Sequence, residues 1–126
     1  VDTIAEFLVN IKNAKEAGKD KVDIPASRMR KALAEIMKSK GWIKDFRVAD
    51  DGKQGLMRVY LSKQGPYATQ FRRISRPGRR IYVGWEDIRP VRSGKGFAIV
   101  STNKGVIVDS DARKSKVGGE LICELW

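Results

Sequence analysis

The sequence contains no histidine, and its 126 residues include a single cysteine, Cys123. The missing histidine removes the commonest general base and the commonest metal ligand together. One thiol excludes an internal disulfide and any zinc cluster built from cysteines. Cys123 reads as a small buried hydrophobe in a final strand, in a chain suited to a reducing, cytosol-like compartment. No apolar run approaches the roughly 20 residues that cross a bilayer. The opening Val1-Asp2-Thr3 has neither the basic region nor the apolar core of a signal peptide. Acidic residues are scattered singly or sit in turn-like places such as Asp50-Asp51, which gives a metal or glycosidase site no scaffold. No cofactor, metal, small-molecule substrate or membrane is therefore expected.

What the chain has in excess is positive charge. Its formal net charge is +11, and charged residues make up 33% of it. The window from Lys53 to Lys104 holds twelve Lys and Arg against only Glu86 and Asp87, and so carries +10 of that total. So one-sided a run costs self-repulsion and is usually kept for a polyanion. Arginine dominates it, and its planar fork suits phosphate and stacks on bases.

The periodicity predicts an α+β protein. Thr3-Ile4-Ala5-Glu6 reads as a capping box, and Ile4, Phe7, Leu8 and Ile11 mark one face of the helix that follows. Lys21–Ile24 reads as a strand. Ser27 is placed to cap a second helix with a stripe of Met29, Leu33, Ile36 and Met37, ended by Gly41. Arg28, Arg30 and Lys31 crowd its first turns, where basic charge opposes the helix dipole. Trp42–Val48 and Leu56–Leu61 read as strands around Asp51-Gly52, with Lys53 and Gln54 at the tip. Gln64-Gly65-Pro66 breaks the pattern, so residues 1–64 form an N-terminal α/β lobe (helix-strand-helix-strand-strand) and 65–126 a mainly β lobe with one short helix.

In that second lobe Ser75-Arg76-Pro77-Gly78 suits a type II turn between short strands at Phe71–Ile74 and Arg80–Val83. Residues 87–91 read as extended. Ser93-Gly94-Lys95-Gly96 is a turn and lacks the spacing of a nucleotide-hydrolase phosphate loop. Asp109–Lys114 reads as a capped helical turn, and Glu120–Trp126 as a last strand.

The stretch "IVSTNKGVIV", Ile99–Val108, places five polar residues between apolar flanks. It is either a plain hairpin turn or a tip built to touch something polar and anionic. Ser101 and Thr102 offer hydroxyls, Asn103 an amide and Lys104 a cation, and Gly105 can take a left-handed conformation. Such groups can read ribose, phosphate and base edges in irregular RNA.

The sequence "GFAIVSTNKGVIVDSDARKSKVGGELICELW" resembles the C-terminal signature of small-subunit ribosomal protein eight, the S-eight family: a Ser-Thr-Ser-x-Gly hairpin, Asp-x-x-Ala-Arg, then Gly-Gly-Glu before an apolar strand. "DTIAEFL", "IKNA", "IPASRMRKALAEIMKSKGWIKDF" and "RISRPGRRIYV" extend the likeness almost end to end. The resemblance implies a primary binder of small-subunit ribosomal RNA that clamps an irregular helix of its central domain and promotes subunit assembly. Neighbouring ribosomal proteins would be its other partners, and repression of its own messenger RNA occurs in some relatives. Carried over, the contacts are Ser101, Thr102, Asn103, Lys104 and Gly105, then Gly118, Gly119, Glu120 and Tyr82. Arg79 and Arg80 are expected to gather phosphates. Thr3, Asn13, Arg30 and Lys53 would contribute from the first lobe. Tyr82 is equally readable as half-buried core, and Glu120 as a structural carboxylate orienting the hairpin. Asn103 replaces the family's usual third hydroxyl, Thr3 stands where many relatives have Pro, and Val9-Asn10 replaces a common Thr-Arg pair. A general nucleic-acid chaperone, needing charge but no defined tip, is the main alternative.

Overall fold

The computed structural model describes residues 2–50, 52–53, 55–61 and 70–126. The expected boundary at Gln64-Gly65-Pro66, and Asp51 and Gln54 of the first hairpin, lie outside the described residues. Among the described residues, three α-helices and antiparallel sheets give the α+β class expected. The chain divides into two compact units, Thr3–Tyr67 and Ala68–Trp126 with Val1–Asp2.

The first unit runs α1 (Thr3–Glu16), β1 (Lys21–Pro25), α2 (Arg28–Ser39), β2 (Asp45–Ala49) and β3 (Leu56–Tyr60), with strand order β1-β3-β2. α1 buries Ile4, Phe7, Leu8 and Ile11, the face its spacing marked, and adds Ala14. Fully burying a Phe or Leu side chain contributes about 1.5–3 kcal/mol. The helix begins at Thr3 itself, so Thr3 is a helical residue and not the cap of a capping box. In α2 the Ser27 side chain does cap, accepting from the Arg30 N–H at 3.1 Å. The buried stripe is Arg30, Leu33, Ala34 and Met37, whereas Met29 and Ile36 are half-buried.

Both helices end in the same way. Gly18 and Gly41 take φ of +72° and +78°. Gly41 N–H donates to the Lys38 carbonyl at 3.1 Å, and Trp42 N–H to that of Met37 at 2.8 Å. Two orphan carbonyls are satisfied while Trp42 is folded into the core, 1% exposed. That use of Trp42 explains why β2 starts at Asp45 and not at Trp42.

The second unit is built on β4 (Phe71–Arg73), β5 (Tyr82–Val83), β6 (Phe97–Thr102), β7 (Gly105–Val108), α3 (Asp109–Ser115) and β8 (Gly119–Leu125). β8 is central: β6 flanks one side, and β4 and β5 share the other. A register shift between Ile99 and Val100 sets Cys123 opposite Ile99 and Leu121 opposite Val100. Val100, Leu121, Ile107 and Val83 pack with Ala112 of α3, Ile88 and Val117.

Asp109 explains the Asp-x-x-Ala-Arg motif. It is 4% exposed, accepts the Ala98 N–H of β6 at 2.9 Å and takes Arg113 Nη1 at 2.8 Å. One carboxylate thus continues the sheet's hydrogen bonding where β7 stops, with a cation one helical turn away. The helix has seven residues, longer than the single turn its sequence suggested. Residues 87–91 are not one extended run either: a turn of 3-10 helix occupies Trp85–Asp87, and from Val91 the chain turns through left-handed Arg92 and Ser93, with φ of +50° and +57°. Pro77-Gly78 does form a tight turn, with Arg76 and Arg79 exchanging backbone bonds of 2.9 Å. Gly78 lacks the positive φ that type II requires, so the turn is of another type.

Candidate nucleic-acid interface

The hairpin tip is shorter than its sequence suggested. β6 and β7 stay paired to Thr102 and Gly105, leaving only Asn103 and Lys104 as the loop. Gly105 has φ of +108°, while Asn103 and Lys104 are not among the residues of positive φ. This matches a hairpin turn followed by a left-handed glycine. Thr102 Oγ1 fixes it, accepting from Lys104 N–H at 3.0 Å and donating to the Gly105 carbonyl at 2.9 Å. Ser101 and Thr102 are therefore not a pair of hydroxyls offered together. Successive strand residues face opposite ways, and the Thr102 proton is already used in the turn. Asn103 and Lys104 are exposed at the tip.

Register brings three of the expected residues into one row. Tyr82 of β5 pairs with Glu120 of β8, and Glu120 pairs with Ser101 of β6. Directly opposed residues point to the same face, so the three side chains stand side by side across roughly 10 Å of sheet. α3 packs against the other face. Tyr82 is 71% exposed, which removes the reading of it as half-buried core. An exposed aromatic beside a hydroxyl and a carboxylate gives one stacking surface and groups that donate and accept hydrogen bonds.

Gly118 and Gly119 have a packing reason to be glycine. A Cβ on Gly118 would lie 2.4 Å from the Val83 carbonyl oxygen, and one on Gly119 2.1 Å from that of Ser101. They let β8 press between β5 and β6, and so hold Tyr82, Glu120 and Ser101 in line.

The arginines divide into those that face outward and those used inside. Arg72, Arg73, Arg76 and Arg79 line a cleft of about 670 Å³ with Phe71, Ile74 and Ile81. Arg73 is only 8% exposed, and its guanidinium also donates to Asp2 at 2.9 Å and the Ile122 carbonyl at 2.6 Å. Arg80 is exposed but gives Nη1 to Glu120 at 3.1 Å, so it is not simply a phosphate hook.

The first-unit candidates gather less well. Arg30 is a correction: it is 7% exposed, and its guanidinium donates to the carbonyls of Pro25 at 2.8 Å and Thr3 at 3.0 Å. It ties β1 to the start of α1 and offers almost none of its surface to solvent. Its place in the buried stripe of α2 was the available signal. Thr3 and Asn13 are exposed ten residues apart on α1, about 15 Å along its axis. Lys53 is exposed in the β2–β3 connection. Ser75 was missed by sequence reasoning. It is fully buried, and its hydroxyl donates to Glu120 Oε2. It lies in the quoted "RISRPGRRIYV", but nothing in the sequence distinguishes it from any turn serine.

Among the described residues there is no group of acids or cysteine able to hold a metal ion, and no helix long and apolar enough to cross a membrane. Comparison with known proteins decides the family. The model for "Ribosomal protein S8" matches residues 2–126. The chain belongs to the ribosomal protein S8 family. It is 50% identical over 129 residues to "Small ribosomal subunit protein uS8" of Syntrophobacter fumaroxidans, covering 99% of this chain and 97% of the relative. The proteins of the same name from Caldicellulosiruptor bescii and Kosmotoga olearia are 48% and 47% identical, with at least 98% of either sequence covered in each case. Members of the ribosomal protein S8 family are structural components of the small ribosomal subunit and not enzymes. A bacterial-type member works on the ribosome in the cytoplasm.

Proposed function

We propose that this chain is an architectural binder of small-subunit ribosomal RNA, clamping an irregular helix of the central domain and promoting subunit assembly. The observation that carries the reading is the Tyr82–Glu120–Ser101 row beside the Asn103-Lys104 tip. The arginine cleft supplies sequence-independent, salt-dependent attraction for phosphates. The row supplies selectivity: Tyr82 stacks on a base, while Ser101 and Glu120 form hydrogen bonds that only a fitting RNA shape can reach. Thr102, Gly105, Gly118 and Gly119 act by holding this geometry. Thr3, Asn13 and Lys53 are contacts of the first lobe, and the buried Arg30 is not one of them. Neighbouring ribosomal proteins then join the assembled site. Repression of its own messenger RNA would need that message to present the same shape to the same row.

RNA crosslinking with mapping on both partners tests this. Crosslinks at Tyr82, Ser101, Asn103 and Lys104 within one ribosomal RNA helix are expected. Crosslinks only to scattered lysines and arginines, spread over the whole RNA, would favour a chaperone acting through charge alone.

A further inference from the structure

We infer that Ser75 and Arg80 are positioning residues for recognition: they hold the Glu120 carboxylate so that its other oxygen accepts one neutral hydrogen-bond donor of the RNA. The inference rests on the proposed RNA-facing role of the Tyr82–Glu120–Ser101 row.

Ser75 sits where β4 has ended and β5 has not begun. Its backbone N–H bonds to β8 carbonyls, at 3.1 Å for Leu121 and 3.3 Å for Ile122. Its hydroxyl accepts the Ile81 N–H at 3.2 Å and donates its only proton to Glu120 Oε2. An ionised carboxylate only accepts, so the serine hydroxyl must be the donor in that bond. Arg80 Nη1 converges on the same oxygen. Oε1 has no partner among the described residues.

A lone carboxylate on a surface that attracts phosphate would repel the ligand. Arg80 cancels that charge locally, and Ser75 removes the freedom of the side chain to swing away. Bonds to an ionised group are roughly twice as strong as neutral ones. An acceptor so held selects for a donor and against a phosphate oxygen. The donors that RNA offers are a ribose 2′-hydroxyl or an exocyclic base amino group. Tyr82, next in the row, would stack on the nucleotide that presents it.

The test is equilibrium binding of the full chain to a small-subunit ribosomal RNA fragment and to a scrambled RNA, for Ser75→Ala, Glu120→Ala, the double variant and Arg80→Ala. Each single change should weaken binding to the ribosomal fragment about tenfold and leave scrambled RNA nearly unchanged for Ser75→Ala. The double variant should bind no worse than Glu120→Ala alone. Losses that add, or Ser75→Ala losses equal on both RNAs, would overturn the inference. Arg80 is exposed, so Arg80→Ala tests the same holding role even where Ser75→Ala fails to fold. Its loss should be larger on the ribosomal fragment, and equal losses on both RNAs would overturn its share. A Glu120→Ala protein that binds the ribosomal fragment as wild type would defeat the Glu120 part of the proposed function itself. Fragments with a 2′-deoxy substitution, or lacking the amino group at the crosslinked nucleotide, identify the donor. The matching fragment should be insensitive to Ser75→Ala, and sensitivity in every fragment would overturn the inference.

Discussion

Gly119 and Ser101 are so close that a side chain on the glycine has nowhere to go. A Cβ there would stand 2.1 Å from the Ser101 carbonyl oxygen and 3.1 Å from the Thr102 Cα. These are backbone atoms of the strand that carries the hairpin. Gly119→Ala should therefore destabilise the fold by about 1–3 kcal/mol, toward the upper end, and disturb RNA binding with it. Gly78→Ala is the contrast, since nothing lies within 4 Å of its Cβ and its φ is ordinary. It should leave stability unchanged or raise it by about 0.4–1 kcal/mol. Urea denaturation of the two variants checks both.

The Asp109–Arg113 pair predicts an asymmetric response. Asp109→Ala removes the acceptor of a buried Ala98 N–H as well as the partner of Arg113. Arg113→Ala leaves a buried carboxylate with only the backbone bond. Losing one partner of a buried pair costs about 3–5 kcal/mol, and less here because Arg113 is partly exposed. The double variant should cost less than the two single losses together, measured by thermal or urea unfolding.

Two surface carboxylates should make stability fall in acid. The Arg58 hydrogen bond holds Asp23 below the usual carboxylate range, and the Lys38 bond does the same for Asp45, helped by the Phe46 N–H. The folded chain thus favours the ionised form more than the unfolded chain does. That contribution is complete above the unfolded value of about 3.9 and is lost as pH falls through the lower folded values. Asp23→Asn should be less stable than wild type at neutral pH, and the difference should vanish in strong acid. Chemical denaturation across that range reads the effect directly.

Cys123 should be inert in the native protein. It is fully buried between Arg73 and Ile99 of the flanking strands, and burial pushes its thiol up to about 12. Alkylation at mildly alkaline pH should follow global unfolding and accelerate with denaturant. Rapid labelling of the folded chain would show that β8 opens on its own.

Much of this architecture was legible because period and punctuation agree. Ile4, Phe7, Leu8 and Ile11 announce α1, and Gly18 and Gly41 announce both helix ends. What was hidden depends on partners far away in sequence. Arg30 stands at the spacing of the α2 stripe, yet a cation there makes sense only once the carbonyls of Pro25, 5 residues away, and Thr3, 27 away, are folded around it. Tyr82 gives no sign of its exposure, because only the pairing of β5 with β8 decides which face it takes. Ser101 and Thr102 look equivalent in a loop, but strand alternation separates them. Ser75 lies 45 positions from Glu120, and no local pattern records that bond.

Competition binding on the intact chain addresses the core of the account most directly. A labelled ribosomal RNA fragment is bound at moderate salt and challenged with unlabelled fragment or scrambled RNA, for wild type and Ser101→Ala. Wild type should release the label far more readily to its own fragment than to scrambled RNA, and Ser101→Ala should narrow that gap by about tenfold. Equal competition by both RNAs against wild type would mean that charge alone holds RNA to this surface, and the proposed selectivity of the row would be wrong.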